Sequence, residues 1–222
     1  MAGTNHFGTS AKFGIEESTQ EEFQQFMPVF AANGNYLCSA VWDKGDTYGQ
    51  RGHYCGGGAV DIVTDLGTLI TTFGAVVSAK VPTRLTVSFS AGAPAAYDIE
   101  GHQHDDNPHT TGLASGSCAG IIPASSGVGV PALITVAGTV SPVDAEVVFE
   151  IEHVDKPGAT GTHFHGQNVG RIKVSLSVSY EGTVSGVTAG SWLNIMTFKT
   201  ESNESTPTSR VTAEQYLAAA VA

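Results

Sequence analysis

The chain has 222 residues, is 41% hydrophobic and only 14% charged, and carries a net charge of −11. It is long enough to bury the core of one large all-β domain or two small ones, and the sparing use of charge fits a surface covered in part by copies of itself. Residues 61–166 hold eleven acids against three bases, a field that repels phosphates and excludes sequence-specific nucleic-acid binding.

Residues 1–14 are polar and glycine-punctuated and read as an arm or an edge strand. Within Glu16–Phe26, Ser18 with Glu21 three residues on is a capping-box signature that predicts a short helix ending before Pro28, with an edge strand as the alternative. Residues 1–35 are therefore expected to be an N-terminal arm with a short helix. Asn33-Gly34-Asn35 is a turn signal. Tyr36–Trp42 and Tyr54–Val63 read as two strands of a hairpin joined by a long polar loop, Asp43–Gly52. Gly56-Gly57-Gly58 reads as a bend, with no Gly-Lys-Ser/Thr after it to make a phosphate loop.

Leu66–Val81, rich in Thr, Val, Ile and Phe, predicts two short strands. Leu85–Ser90 alternates cleanly, with Leu85, Val87 and Phe89 on one face and Thr86, Ser88 and Ser90 on the other. Ala91–Gly120 reads as a long functional or intermolecular loop. Ala132–Val140, Ala145–His153, Ile172–Tyr180 and Trp192–Phe198 complete the strands, and Ile172, Val174, Leu176, Val178 and Tyr180 again mark one apolar face. Residues 200–222 are expected to be a polar linker, Glu201–Ser209, and a C-terminal helix, Thr212–Val221, capped by Thr212. Parallel βαβ alternation is absent. The fold class is all-β: an antiparallel sandwich or barrel over residues 36–199, with long hairpin loops and one or two short peripheral helices. At an offset of 60, Pro82/Pro142, Val87/Val147, Phe89/Phe149 and Gly101/Gly161 coincide, which is compatible with a duplicated β unit.

No apolar run spans a membrane, and the N-terminus has no secretory pattern, so neither a membrane partner nor export is expected. The three cysteines, Cys38, Cys55 and Cys118, match no zinc spacing. Cys38 and Cys55 could face each other across the predicted hairpin, but buried reduced thiols are the favoured reading. Glu150 and Glu152 share one side of a strand, where solvation is the default, and no local context marks Cys118 or any serine as a nucleophile. The chemistry-bearing candidates are the histidines. His102-Gln103-His104 and His163-Phe164-His165 each present two imidazoles on one strand face, and Asp105, Asp106 and His109 lie near the first pair. Imidazole suits zinc, copper, iron or nickel. Gly158 with His163 and His165 resembles the first cupin motif, which implies a metal-binding β-barrel enzyme using His102, His104, His163 and His165. Gly166-Gln167-Asn168-Val169-Gly170 departs from it, supplying no carboxylate, and the second cupin motif is absent. Imidazoles beside acids at subunit seams, or simple surface exposure, are the preferred explanations, with no metal and no cofactor expected.

The run from Leu85 through Gly101-His102-Gln103-His104, and the strand–loop–strand of Val147–Tyr180, resemble the tail tube (major tail) proteins of tailed bacteriophages. Over residues 30–185 the similarity rests on long hairpins, an N-terminal arm, the loop Ala91–Gly120, and the paired strands Glu146–His153 and Arg171–Tyr180. The resemblance implies a β-sandwich or barrel subunit of the virion, made in the host cytoplasm. It implies homo-oligomeric rings that stack on one another and on other virion proteins, with DNA passing an acidic lumen, and no enzymatic activity. A capsid decoration protein or another self-assembling shell or filament subunit is the alternative within that class.

Overall fold

The computed structural model describes residues 3–56, 62–74, 76–77, 80–105, 116–117, 121–122, 128–157, 164–188, 194–202 and 206–217. In chain order the elements are β1 (Phe13–Phe30), β2 (Tyr36–Tyr54), α1 (Ile62–Leu66), α2 (Thr68–Thr71), β3 (Thr72–Phe73), β4 (Val81–Ser90) and β5 (Ala96–His104). They continue as β6 (Gly116–Ser117), β7 (Thr135–Ala137), β8 (Val140–Pro157), β9 (Phe164–Gly182), β10 (Gly186–Thr188), β11 (Asn194–Ser202) and β12 (Pro207–Leu217). Eight strands form one antiparallel sheet in the order β1-β2-β5-β4-β8-β9-β12-β11, and β10-β7 and β3-β6 form two small sheets. The all-β expectation holds, and no helix among the described residues is long and apolar enough to cross a membrane.

Period-two alternation of β-branched and aromatic residues drives the central strands. Leu85, Val87 and Phe89 of β4, Tyr97 and Ile99 of β5, Val147 and Phe149 of β8, and Ile172, Val174, Leu176 and Val178 of β9 are all buried on one face. That inner face shares one apolar cluster with Ile62, Leu66, Leu69, Ile70 and Phe73, and with Ile121, Ile122, Leu133, Ile134 and Val184. Phe73 meets Phe149 with ring centroids 5.9 Å apart. The outer face carries the alternate residues, including Glu17, Arg51, Asp98, Glu100, Arg84, Glu146, Glu150 and Arg210, none of which is buried.

The centre of the sheet gives the offset of 60 a physical form. Val87 pairs with Val147, Leu85 with Phe149 and Phe89 with Ala145, so the offset maps the β4–β8 pair onto itself about a local two-fold at Val87/Val147. Outward from it, β5, β2 and β1 are matched by β9, β12 and β11. Gly161, the partner of Gly101 in that alignment, lies outside the described residues.

Several expectations are corrected. Glu16–Phe26 is strand, not helix: it pairs with β2 along its length, and the hydroxyl of Ser18 accepts the Thr4 N–H at 2.8 Å instead of capping a helix. Asp43–Gly52 is no loop, because β2 runs unbroken from Tyr36 to Tyr54. Its glycines mark close backbone approaches: a Cβ on Gly45 would run into the carbonyl of Gln103, and one on Gly52 into that of Gly14. Cys38 and Cys55 therefore lie on or just beyond one strand, both exposed, rather than facing each other or buried. Cys118 lies outside the described residues.

In Leu66–Val81, where two strands are expected, α2 and the two-residue β3 form instead, and α1 takes the end of the strand expected at Tyr54–Val63. Ile62, Leu66, Leu69, Ile70 and Phe73 recur at helical spacing, and Gly67, at φ +58°, separates the two helices. The loop expected at Ala91–Gly120 contains the whole of β5. The strand expected at Ala132–Val140 shortens to β7, and that at Trp192–Phe198 becomes β11. The C-terminal linker and helix are corrected too: Glu201 and Ser202 end β11, and Pro207–Leu217 is β12, an inner strand of the large sheet. Ser209, Val211 and Ala213 enter the core on alternate residues, and that tertiary alternation overrides alanine's helical propensity.

The outer hairpins overshoot the strands between them. β5 ends at His104, paired with Gly45, and Tyr36–Asp43 continues with β1 as its only ladder partner among the described residues. β4 pairs with β8 no further than Arg84↔Glu150, while β8 and β9 remain paired out to Pro157↔Phe164. Both extensions leave the same end of the sheet. Cα atoms of β2 and β9 come within 8 Å although β5, β4 and β8 lie between them, so the sheet curls.

Replacing Gly45 with alanine forces apart the β2 and β5 backbones. Chemical denaturation of Gly45→Ala is expected to show a loss of about 3 kcal/mol or more, whereas Gly34→Ala, at a turn with open space around it, loses about 1 kcal/mol through its positive φ alone.

Candidate functional site

The strongest concentration of buried polar chemistry sits where the β1–β2 hairpin leaves the sheet. Along β5, Asp98 and Glu100 face outward and are exposed, and His102 and His104 continue the same alternation. Yet His102 is only 9% and His104 only 1% exposed, so the outer face is covered at this end. Gly45, directly opposite His104, places Asp43 two residues further along the same face. Asp43 is fully buried, and its Oδ1 lies 2.7 Å from Nδ1 of His104. Phe23, also opposite Gly45, sets its ring edge-on to His104 at 5.5 Å between centroids. His102 also packs against His104 at 4.9 Å, again nearly perpendicular. A buried imidazole–carboxylate contact of this kind fixes ring orientation and holds its two strands in register.

A second polar cluster lies on the inner face and holds the N-terminal segment down. Gln50 is buried; its Oε1 accepts the His6 N–H at 2.9 Å, and its Nε2 donates to Thr9 Oγ1 at 2.9 Å and to Tyr97 Oη at 3.3 Å. Phe7 and Phe13 are buried beside it, so the residues read as an arm or an edge strand are packed onto the sheet, and Phe13 opens the outer strand β1. His6 stacks obliquely on Tyr48 at 5.0 Å, and Lys80 sits 4.5 Å over the opposite partner of that stack, the Tyr48 ring. Burial, with the Lys80 charge adding to it, lowers the His6 pKa below its ordinary 6.5. Burial raises the hydroxyl pKa of Tyr48, with Asp46 adding to it.

His102 and His104 come together, but as rings packed on each other. The β9 strand carries His165 just beyond Phe164, near the far end of the β8–β9 extension, while His163, His109 and Asp106 lie outside the described residues. Asp105 joins an exposed ion pair with Lys44 at 3.2 Å. Among the described residues no three His, Cys, Asp or Glu side chains are arranged to hold a metal ion. The Glu150/Glu152 pair is exposed, and Glu152 is engaged by Arg171 at 2.9 Å.

Two open grooves of about 400 Å³ each indent the sheet near β2 and β5. The first runs between Glu17, Thr19, Arg51, Glu100 and His102, and the second between Glu16, Arg84, Thr86 and Asp98. Both are shallow and charged, and Glu17 is already paired with Arg51. Reading the residues alone overlooked Asp43, Phe23, Gln50 and His6. Asp43 falls within an Asp-Lys-Gly-Asp run that looks like a loop; its one signal is the aromatic and apolar Tyr36–Trp42 stretch immediately before it.

Two measurements check this geometry. Removing the Gln50 side chain leaves the His6 N–H and the Thr9 and Tyr97 hydroxyls without it, so Gln50→Ala is expected to lose about 2 kcal/mol of stability in denaturant titration. The fold disfavours protonation of His6, so the unfolded chain binds its proton first as pH falls through 6.5, and the contribution of His6 to stability declines below that point. Melting temperature is expected to fall from pH 7.5 to 5.5, and His6→Gln to fall less steeply over that interval.

Compared with protein-family models and with curated proteins, the chain matches none of them.

Proposed function

We propose that this chain is a structural subunit that assembles with copies of itself, and specifically a tail tube subunit of a tailed phage, stacking as rings around a lumen that conducts DNA. The observation that carries the reading is the extension of the β1–β2 hairpin. Phe26, Phe30, Tyr36 and Leu37 are 57%, 57%, 59% and 62% exposed, and Met27, Val29 and Val41 are exposed with them. Phe26 pairs with Val41, Met27 with Ala40 and Val29 with Cys38, so apolar side chains stand on both faces of a two-stranded ribbon. A ribbon of that kind is marginal in water on its own, and covering its side chains gains roughly 25 cal/mol for each Å².

Charge favours a second copy as the cover. From Phe26 to Trp42 the sequence has no Asp, Glu, Lys, Arg or His, while the whole chain carries −11. Two copies repel elsewhere and meet most readily at this neutral stretch. An anionic bilayer is a poorer fit, because Glu21, Glu22 and Asp46 flank the ribbon against the single Lys44. Both extensions project from one end of the sheet, which favours a directional, head-to-tail contact over a two-fold one. β1 and β11 are the sheet's two outer strands; in an antiparallel sheet of eight they run in opposite directions, so a neighbour set alongside can continue the ladder. The acidic central region suits a lumen past which DNA moves without adhering.

The test is the triple variant Phe26→Ser/Phe30→Ser/Leu37→Ser in sedimentation velocity. Wild type is expected to form large species as concentration rises. The variant is expected to stay monomeric, with stability within about 0.5 kcal/mol of wild type because the three side chains are already in water. A variant that assembles as wild type does defeats the proposal. A wild type that remains monomeric and binds one equivalent of zinc, iron or copper points instead to a metal-dependent β-barrel.

A further inference from the structure

We infer that Asp43 and His104 form a clasp that sets the angle at which the β1–β2 extension leaves the sheet, and so decides where that extension can meet a second copy. The consequence for assembly rests on the function proposed above; the clasp itself does not.

The pair sits at the mechanical root of the extension. Gly45 is the last β2 residue with a partner on β5, and Asp43 is two residues beyond it. Immediately past Asp43 the β1–β2 ladder slips: Gln25 pairs with Asp43 but Phe26 with Val41, leaving Trp42 as the extra residue. A bulge bends and twists the strand that carries it, and at the border between sheet and free ribbon it acts as a hinge. The fully buried Asp43 carboxylate reaches across this border to His104 at 2.7 Å, on the last residue of β5. Phe23 and His102 both pack against the imidazole. A second tie spans the same border in solvent: the Asp105 N–H donates to the Lys44 carbonyl at 2.9 Å, and Lys44 pairs with the Asp105 carboxylate at 3.2 Å. The exposed ion pair contributes little, whereas the buried contact is costly to break because removing one partner leaves the other buried without it. Asp43 and His104 are thus positioning residues, acting through the direction of the ribbon.

The strand carries its own ruler. Cys38 lies on the extension, Cys55 follows the body end of the same strand, and both are exposed. Nitroxides at these two sites, in a Cys118→Ser background, report the bend by electron–electron double resonance. Adding Phe26→Ser/Phe30→Ser/Leu37→Ser keeps every sample monomeric under the proposed function. The unmodified root is expected to give one narrow distribution below roughly 55 Å, the span of a straight strand of this length. Asp43→Asn, which loses the charge, and His104→Phe, which keeps a ring against Phe23, are each expected to broaden the distribution at least two-fold and shorten its mean, with strand circular dichroism unchanged. Distributions that coincide with the parent's in both folded variants overturn the clasp. Where a single variant fails to fold, Asp43→Leu/His104→Phe, which buries no charge, is read in its place by the same criterion. With the apolar residues restored, Asp43→Asn is expected to need about ten-fold more protein for half-assembly, equivalent to roughly 1.4 kcal/mol. A wild-type chain that never assembles defeats the assembly reading alone, and the distance distributions still decide the clasp.

Discussion

A mismatch of strand lengths governs this molecule. β1 and β2 have 18 and 19 residues and β8 and β9 have 18 and 19, but β4 and β5 between them have 10 and 9. Where the short strands stop, the long ones lose their neighbours on one side and continue as two-stranded ribbons. Everything distinctive about the surface follows from that boundary. The covered stretch of outer face holds His102 and His104, the buried Asp43 anchors the ribbon's root, and the apolar residues beyond it have no strand of the sheet to lie against. The core, by contrast, is ordinary: one apolar face of a sheet packed against two short helices and irregular segments.

Energetics separate the two halves of β2. Its body half buries Tyr48, Gln50 and Tyr54 and is fixed by ladders on both sides. Its distal half exposes Tyr36, Leu37 and Val41 and has β1 as its one ladder partner among the described residues. Apolar side chains more than half in water on a charge-free ribbon contribute little to the stability of a lone chain beyond contacts such as Phe30 on Tyr36, and covering them would contribute more. In the proposed assembly the distal half is the binding element and the body half its mount, with the Asp43–His104 contact between them.

Legibility from the residues tracked how local the deciding forces were. Leu85–Phe89 and Ile172–Tyr180 were readable because each strand buries one face against the core, and the burial is written in every second residue. The helices at residues 62–71 were misread because Ile, Val and Thr favour strands locally, while the spacing of Ile62, Leu66, Leu69 and Phe73 carried the true period. Ala213 and its neighbours were misread in the opposite sense: alanine favours helix, but β9 was there to pair with. The glycines of β2 looked like loop punctuation; their role, letting Gln103 and Gly14 approach, depends on strands distant in sequence. Of the site, the His102/His104 pair was visible as a spacing. Its use was not, since Asp43 and Phe23 reach it only through the register of β1, β2 and β5.

The central claim is that the ribbon of Phe26–Trp42 is covered by another copy of the same chain. Electron cryomicroscopy of the concentrated protein tests it most directly. The account predicts a stacked assembly with one polarity, in which each β1–β2 ribbon is buried against a neighbour and all ribbons point the same way. Monomers with that ribbon in solvent at every concentration, or an assembly that leaves it uncovered, would contradict it.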